Sequence, residues 1–383
     1  MTTRLLIVST LDSREPFGAF TRPFYLGMHL ARKFEVCQLG IDCSAVDYAE
    51  SISIGSRSLK SYIKAIQQAI EQFKPDIVYA QETLPGIAAW LTFIQKKPKQ
   101  CRLVFDFHTL SAFEYGTRLT SASNRLNQLS QLVKTYIAQG VLINSGKPIV
   151  AASKGVIDLI PKWYKTLPKN IYCVSNGVAD DLLNISPSNF ANPYQKIRSA
   201  KIVVTIAPKT FSFPTNDMSA AMTLEIAKYL ESCQQDIHLV VIGRNGEEFK
   251  ESIPSNISFT GFLPKRSDFL AHLIHADVGL LPFSKEAVAG GARNKALDYL
   301  ACKKLVVSTP EGLRALEEFC DRQHLLVSGY SIEEVADTLI DACTNLEDYQ
   351  PLAETAYQLI QDRYSWNAMA EKVAAILITD VTH

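Results

Sequence analysis

Short runs rich in valine and isoleucine alternate with longer amphipathic stretches along the whole 383-residue chain, and this alternation limits the possible folds more than any other feature. Each run is long enough for a strand and too short for a helix, while the stretches between them repeat their apolar residues at helical period. Strand and helix in repeated alternation build βα units on parallel sheets. In the first half the strands are expected at residues 5–9, 36–39, 77–80, 103–107, 149–152 and 172–175. In the second half they are expected at 202–206, 239–242, 257–260, 278–281, 305–308 and 325–327. The clearest helix is 58–74, where Leu59, Ile63, Ile66, Ile70 and Phe73 form one stripe and lysine, glutamine and glutamate take the rest. Residues 103–107 show little alternation, as a strand covered on both faces should.

The length is more than one core usually organises, so two domains are expected. Between the two series the pattern lapses into turn formers, Ser186-Pro187-Ser188-Asn189 and then Asn192-Pro193. The expected division is a first domain at 1–180, a linker at 181–200, a second domain at 201–364 and a closing helix at 365–383 that packs back towards the first domain. The fold class is therefore α/β, with two tandem Rossmann-like parallel-sheet domains facing a cleft onto which the loops after the strands open.

Composition narrows the function classes. The 39 Lys+Arg and 39 Asp+Glu cancel, which argues against nucleic acid as a partner, yet residues 1–200 carry +9 and residues 201–383 carry −9. Eight scattered cysteines without a CxxC pair suit a reducing cytosol and no structural zinc site. His272 and His275 lie three apart on a helix with no third ligand in view, so no metal is expected. No GxGxxG follows the first strand, and no P-loop or Gly-x-Ser-x-Gly elbow occurs. The apolar run after Met1 is too short for a signal peptide. Nothing approaches the roughly 18 uncharged apolar residues of a spanning helix. A cytoplasmic protein is expected.

The densest chemistry follows the strand ending at Pro282: Gly290-Gly291-Ala292-Arg293-Asn294-Lys295, then Asp298 about a turn into the next helix. Paired glycines at a helix start let backbone N–H groups approach an anion, and the helix dipole favours a phosphate there. Arg293 and Lys295 are unfavourable to the helix by themselves, and an anionic ligand accounts for them. Asp298 is placed to accept hydrogen bonds from ribose hydroxyls.

This stretch, running on through Cys302-Lys303-Lys304-Leu305-Val306-Val307-Ser308-Thr309, resembles the donor-binding region of the GT-B glycosyltransferases, in particular glycosyltransferase family 4. Ser175-Asn176-Gly177-Val178, Val241-Ile242-Gly243, Phe259-Thr260-Gly261-Phe262, Ala276-Asp277-Val278 and Tyr364-Ser365-Trp366 are similar to further family segments in the same order. The resemblance implies a retaining transferase that moves a sugar from a nucleoside-diphosphate sugar to a glycan or glycolipid acceptor, without a metal. It implies a donor domain in the second half, with Gly290, Gly291, Arg293, Lys295 and Lys209 on the diphosphate, Asp298 on the ribose and Phe262 near the base. The first half becomes the acceptor side, with His108 as the catalytic contact to sugar or acceptor and Gly18, Arg22 and Glu82 as acceptor-side residues. The chain departs from the family in two places: Gly290 stands where many relatives have the first of two glutamates, and Ala207-Pro208-Lys209 replaces a glycine-rich phosphate loop. A non-catalytic sugar-nucleotide binder and a nucleotide-sugar epimerase are the alternative readings. The basic half adds lysine clusters at 96–102 and 147–169, the second interleaved with Ile157, Ile160, Trp163 and Tyr164, a mixture suited to peripheral contact with an anionic membrane.

Overall fold

Two sheets, parallel throughout, carry the chain in a computed structural model that describes residues 2–14, 20–118, 125–198, 201–209, 214–249, 252–288, 291 and 293–379. The residues form two units, Met1–Gly177 with Trp366–His383, and Val178–Ser365. Unit 1 comprises β1 (Arg4–Val8), α1 (Thr21–Leu30), β2 (Glu35–Gly40), β3 (Glu50–Ser53), α2 (Leu59–Gln72), β4 (Ile77–Gln81), α3 (Thr83–Lys96), β5 (Arg102–Phe107), α4 (Ser111–Arg118), α5 (Arg125–Ile143), β6 (Ile149–Ala151), α6 (Lys154–Tyr164) and β7 (Ile171–Cys173). Its strand order is β3-β2-β1-β4-β5-β6-β7. The order reverses between β1 and β4, which pair from Leu5 with Ile77 to Val8 with Ala80. Loops leaving the carboxyl ends of strands at such a reversal form the natural ligand crevice of an open parallel sheet.

Unit 2 repeats the plan with α7 (Asp180–Leu183), β8 (Lys201–Ile206), α8 (Pro214–Ser232), β9 (Ile237–Ile242), β10 (Ile257–Phe259), α9 (Arg266–Ile274), β11 (Val278–Leu281), α10 (Asn294–Ala301), β12 (Leu305–Ser308), β13 (Leu326–Val327), α11 (Ile332–Thr344) and α12 (Leu346–Arg363). Its strand order is β10-β9-β8-β11-β12-β13, with the reversal between β8 and β11. Close packing there needs Gly279, because a Cβ at that position would come within 2.6 Å of the Tyr299 ring. The Tyr299 hydroxyl in turn accepts the Ile206 N–H at 2.7 Å, which ties α10 to the end of β8.

The last helix, α13 (Trp366–Ile378), belongs to unit 1. Successive residues of β1 face opposite sides of the sheet, so Leu6 and Val8 join a core with α2 and α3 residues, while Leu5 and Ile7 join Trp366, Met369, Val373 and Leu377 of α13. Trp366 is fully buried, and a Cβ on Gly177 would strike its backbone at 2.7 Å.

Three expectations need correction. Residues 181–198 are not a free linker: Leu182 and Tyr194 are buried in the core of unit 2, and the Tyr194 hydroxyl donates to the His272 carbonyl at 2.8 Å. Strand β3 is absent from the sequence reading because Glu50-Ser51-Ile52-Ser53 is a polar edge strand with one inward apolar residue. The apolar residues of α6 do not face outward, since Val156, Leu159 and Ile160 are buried and Trp163 packs on Phe113. No helix among the described residues is long and apolar enough to cross a membrane.

Trp366→Ala should destabilise unit 1 by about 3–5 kcal/mol, the usual cost of emptying a large buried aromatic site. Urea denaturation is expected to show a lower midpoint at unchanged slope.

Candidate active site

At the reversal of unit 1, the ends of β4 and β5 bring Glu82 and His108 together, with His108 Nδ1 2.6 Å from Glu82 Oε1. Both side chains are largely buried, at 13% and 18% exposure. Glu82 stands at the start of α3 with φ +74°, a region that costs a non-glycine residue of order 1–3 kcal/mol and is held only where surrounding contacts over-determine it. Here the Glu82 N–H donates to the Asp106 carbonyl at 2.8 Å and its carbonyl accepts from Gly86. With Nδ1 donating to Glu82, the lone pair of a neutral imidazole lies on Nε2, which is buried, has no hydrogen-bond partner among the described residues and stands 3.6 Å from Asp106 Oδ1. Such a nitrogen is equipped to accept a proton or a hydroxyl hydrogen bond.

Arg22 does not join this pair as an acceptor-side group. Its guanidinium is 3% exposed and donates to Asp106 from Nε and Nη2, the latter at 2.9 Å, to the Ser175 carbonyl at 3.0 Å and to Asn176 Oδ1 at 3.1 Å. Tyr79 also donates to Asp106. Burial works against the charge on Arg22, but the Asp106 carboxylate beside it holds its pKa above the ordinary value, and burial together with Asp106 drives Tyr79 well up. The network is closed, and it fastens α1, β4, β5 and the turn after β7 together. Gly18 lies outside the described residues.

In unit 2 the candidate donor site grows from the first turn of α8, where three successive residues each meet a different cation. Thr215 Oγ1 accepts from Arg293 at 3.1 Å, Asn216 Oδ1 from Lys295 Nζ at 3.0 Å, and Asp217 from Arg244. Lys295 also donates to the carbonyl of Ile206 at the end of β8, and Arg293 to that of Ala287. The Arg293 guanidinium lies over the Phe283 ring at 3.8 Å and is 3.8 Å from the buried Glu311, which Arg314 grips at 2.7 and 2.8 Å. Burial lowers Arg293 to about 10 despite Glu311. Burial, with Arg293 and Arg244 nearby, lowers Lys295 to about 7. No carboxylate of the described residues is within ion-pair distance of Lys295.

Asp298 follows on α10, pushed up to about 6 by burial, with Arg266 and Lys295 acting the other way and Asp181 adding to the rise. Lys209 is 67% exposed just beyond β8, its Nζ 3.2 Å from Glu248. Glu248 stays below the usual carboxylate range: burial works to raise it, but the Asn245 N–H and Lys209 outweigh that. Phe262, 68% exposed, follows Gly261, whose φ is +66°. Gly291 lies in the bend before α10, and Gly290 lies outside the described residues. Thus Lys209, Arg293, Lys295 and Gly291 gather around the ends of β8 and β11.

Sequence reasoning missed Arg244, whose Nε donates to the Ala207 carbonyl at 2.9 Å and whose Nη1 meets Glu248 at 3.1 Å. Its signal was an arginine directly after Gly243, the glycine that follows β9. Asn216 and Thr215 carried no signal, being ordinary helix-start residues. His272 and His275 are engaged by the Tyr194 hydroxyl and the Phe190 carbonyl, and no group of three or more metal-ligating side chains comes together among the described residues.

Residues 51–182 match the family model described as Glycosyltransferase Family 4 and residues 213–345 the one described as Glycosyl transferases group 1, together more than two thirds of the chain. No curated protein sequence matches the chain. Among solved structures, sucrose-phosphate synthase from Thermosynechococcus elongatus superposes with a TM-score of 0.74 at 13% identity, covering 98% of each chain. The Anabaena protein HepE in complex with UDP-glucose gives 0.71 at 13% identity, covering 98% of this chain and 99% of that one. WaaG, a glycosyltransferase involved in lipopolysaccharide biosynthesis, gives 0.65 at 16% identity, covering 98% and 100%.

Arg22→Met should cost about 3–5 kcal/mol of stability, because it strands the buried Asp106 charge. The assignment of Arg22 as a structural tie is checked by chemical denaturation: a variant of unchanged stability would return Arg22 to the acceptor side.

Proposed function

The chain belongs to the glycosyltransferases of group 1 and family 4, and on that premise we propose that it moves a sugar from a nucleoside-diphosphate sugar to a glycolipid or polysaccharide-precursor acceptor with retention of configuration. The observation that carries the reading is Lys295: a desolvated cation beside Arg293 and Arg244, at the carboxyl end of β8, with its charge unmatched by a carboxylate. A diphosphate supplies the missing charge. As the sugar departs, negative charge grows on the leaving phosphate, and cations already held in place stabilise that state more than the bound donor. In this scheme Arg293, Lys295 and Lys209 take the diphosphate with the backbone of Gly290 and Gly291, Asp298 accepts from the ribose and Phe262 stacks near the base. These side chains supply the positive charge themselves, so the proposed reaction runs without a metal ion. His108, oriented by Glu82, serves the sugar or the acceptor hydroxyl through Nε2.

Two neighbours guide the choice of first probes: HepE forms a complex with UDP-glucose and WaaG is involved in lipopolysaccharide biosynthesis, which supports trying UDP-glucose as donor and a lipopolysaccharide-type acceptor. A lipid-borne acceptor fits a cytoplasmic protein peripheral to the inner face of a membrane, and the excess of +9 in residues 1–200 supports that placement.

A panel of nucleotide sugars tests the enzyme: tight nucleotide binding without transfer from any donor, or formation of an epimer, would overturn it. His108→Ala should lower turnover by about 10²-fold with little change in nucleotide affinity, since a positioned acid–base or hydrogen-bonding group contributes on that scale.

The depressed pKa of Lys295 has a definite sign. Near pH 8 the free enzyme holds Lys295 mostly neutral, and a bound diphosphate recharges it, so binding takes up a proton. Affinity for UDP should therefore fall as pH rises above about 7, by up to tenfold per unit, and calorimetry in buffers of different ionisation enthalpy should detect the proton. Lys295→Met should weaken UDP binding and flatten this pH dependence. The same variant should stabilise the free protein most below pH 7, where a buried charge is relieved, and the gain should shrink from about pH 7 towards the ordinary lysine value of about 10.5, as the lysine of the unfolded chain also gives up its proton.

A further inference from the structure

Helix α5 turns an apolar stripe to solvent. Leu126, Leu129, Val133, Tyr136 and Ile137 succeed one another at spacings that place them in one band about 100° wide on a helix. All five are exposed, Leu126 at 83% and Ile137 at 60%. Scattered exposed apolar residues are ordinary, but a continuous band over three turns marks a surface that meets something. It is not the helix's packing face. Gln139, Leu142 and Ile143 bury the other side, where Gln139 Oε1 accepts the Ala112 N–H at 3.0 Å and the Tyr164 hydroxyl at 3.3 Å.

The charge around the stripe selects its partner. Residues 125–170 contain seven lysines and arginines and one acid, Asp158. Helix α6 is fastened to the stripe through Tyr136, whose hydroxyl donates to the Trp163 carbonyl at 3.1 Å and whose ring stacks on Tyr164 at 4.7 Å. That contact brings the exposed Lys162 and Lys165 alongside, with Leu167 half exposed beyond them, while Lys134 borders the stripe on α5 itself. An apolar band edged by tyrosine and lysine matches the boundary between anionic headgroups and acyl chains. A second copy of the chain fits it poorly, because a twofold contact would set one cationic rim against another.

We propose that this face of α5, rimmed by the α6 lysines, lies in the interface of an anionic lipid bilayer. The proposal rests on the reading of a membrane-borne acceptor and assigns the contact to one helix, in place of the inward-facing apolar residues of α6.

Sedimentation of the full chain with phosphatidylcholine vesicles, with and without phosphatidylglycerol, tests it at low and high salt. The wild type should bind the anionic vesicles and release in salt. Leu126→Gln/Val133→Gln/Ile137→Gln should lose at least about tenfold in partitioning, as expected when buried apolar area drives insertion. Lys162→Glu/Lys165→Glu should lose the preference for phosphatidylglycerol. Both variants alter exposed residues and should keep the melting temperature and UDP affinity of the wild type. If the wild type binds vesicles and both variants bind equally well, the surface is wrong while the membrane reading stands. If the wild type ignores all vesicles, surface and membrane-borne acceptor fall together, and transfer to a soluble acceptor still tests the enzyme separately. A dimer seen by light scattering and broken by the triple variant, with vesicle binding unchanged, would also overturn the proposal and make the stripe a subunit interface.

Discussion

A fully parallel sheet has both faces covered, because every crossover returns over it with a helix. The interior strands must then be apolar on both sides, as β1, β4, β9 and β12 are, and polar chemistry is confined to the edge where the strands end. In each unit the strand order reverses once, between β1 and β4 and between β8 and β11, and there the loops part to leave room. Glu82 and His108 occupy that edge in unit 1, Lys209, Arg293 and Lys295 in unit 2.

The two edges treat buried charge in opposite ways. In unit 1, Arg22 and Asp106 cancel, with Tyr79, Ser175 and Asn176 completing the hydrogen bonds, so the network is closed and serves to hold elements together. In unit 2, Arg293, Lys295 and Arg244 crowd the first turn of α8, where neutral oxygens receive two of them and Asp217 the third. Burial depresses Lys295 and raises Asp298, moving both towards neutrality in the free protein. A closed set of charges supports a fold, whereas an excess of one sign under desolvation is stored affinity for the opposite sign.

Much of this was legible in the chain. The strand and helix alternation yields nearly every strand to within about two residues, since β-branched runs flanked by turn formers have few alternatives. The glycine loop with Arg293, Lys295 and Asp298 was visible because cations at a helix start are locally unfavourable and call for an explanation. Strand β3 was hidden, because an edge strand needs little apolar content. The resemblance set Arg22 on the acceptor side, and its burial was not legible because its partners lie 84 and more than 150 residues away. The apolar residues of α6 suggested a lipid contact, but Val156, Leu159 and Ile160 are buried, and the exposed apolar stripe lies on α5 instead.

The amino-acid sequence alone determined the βα architecture, the number of sheets and the loop that gathers cations, because all three follow from local period, turn chemistry and helix electrostatics. Only the tertiary structure decided which charges are neutralised and which remain in excess, and which apolar residues stay in water. Those outcomes depend on contacts between residues far apart in the chain: Asp106 reaches Arg22, Asn216 reaches Lys295, and of the stripe on α5 Tyr136 packs against α6 while Leu126, Leu129, Val133 and Ile137 stay exposed. Burial and pairing are properties of the packed molecule, and no window of sequence contains them.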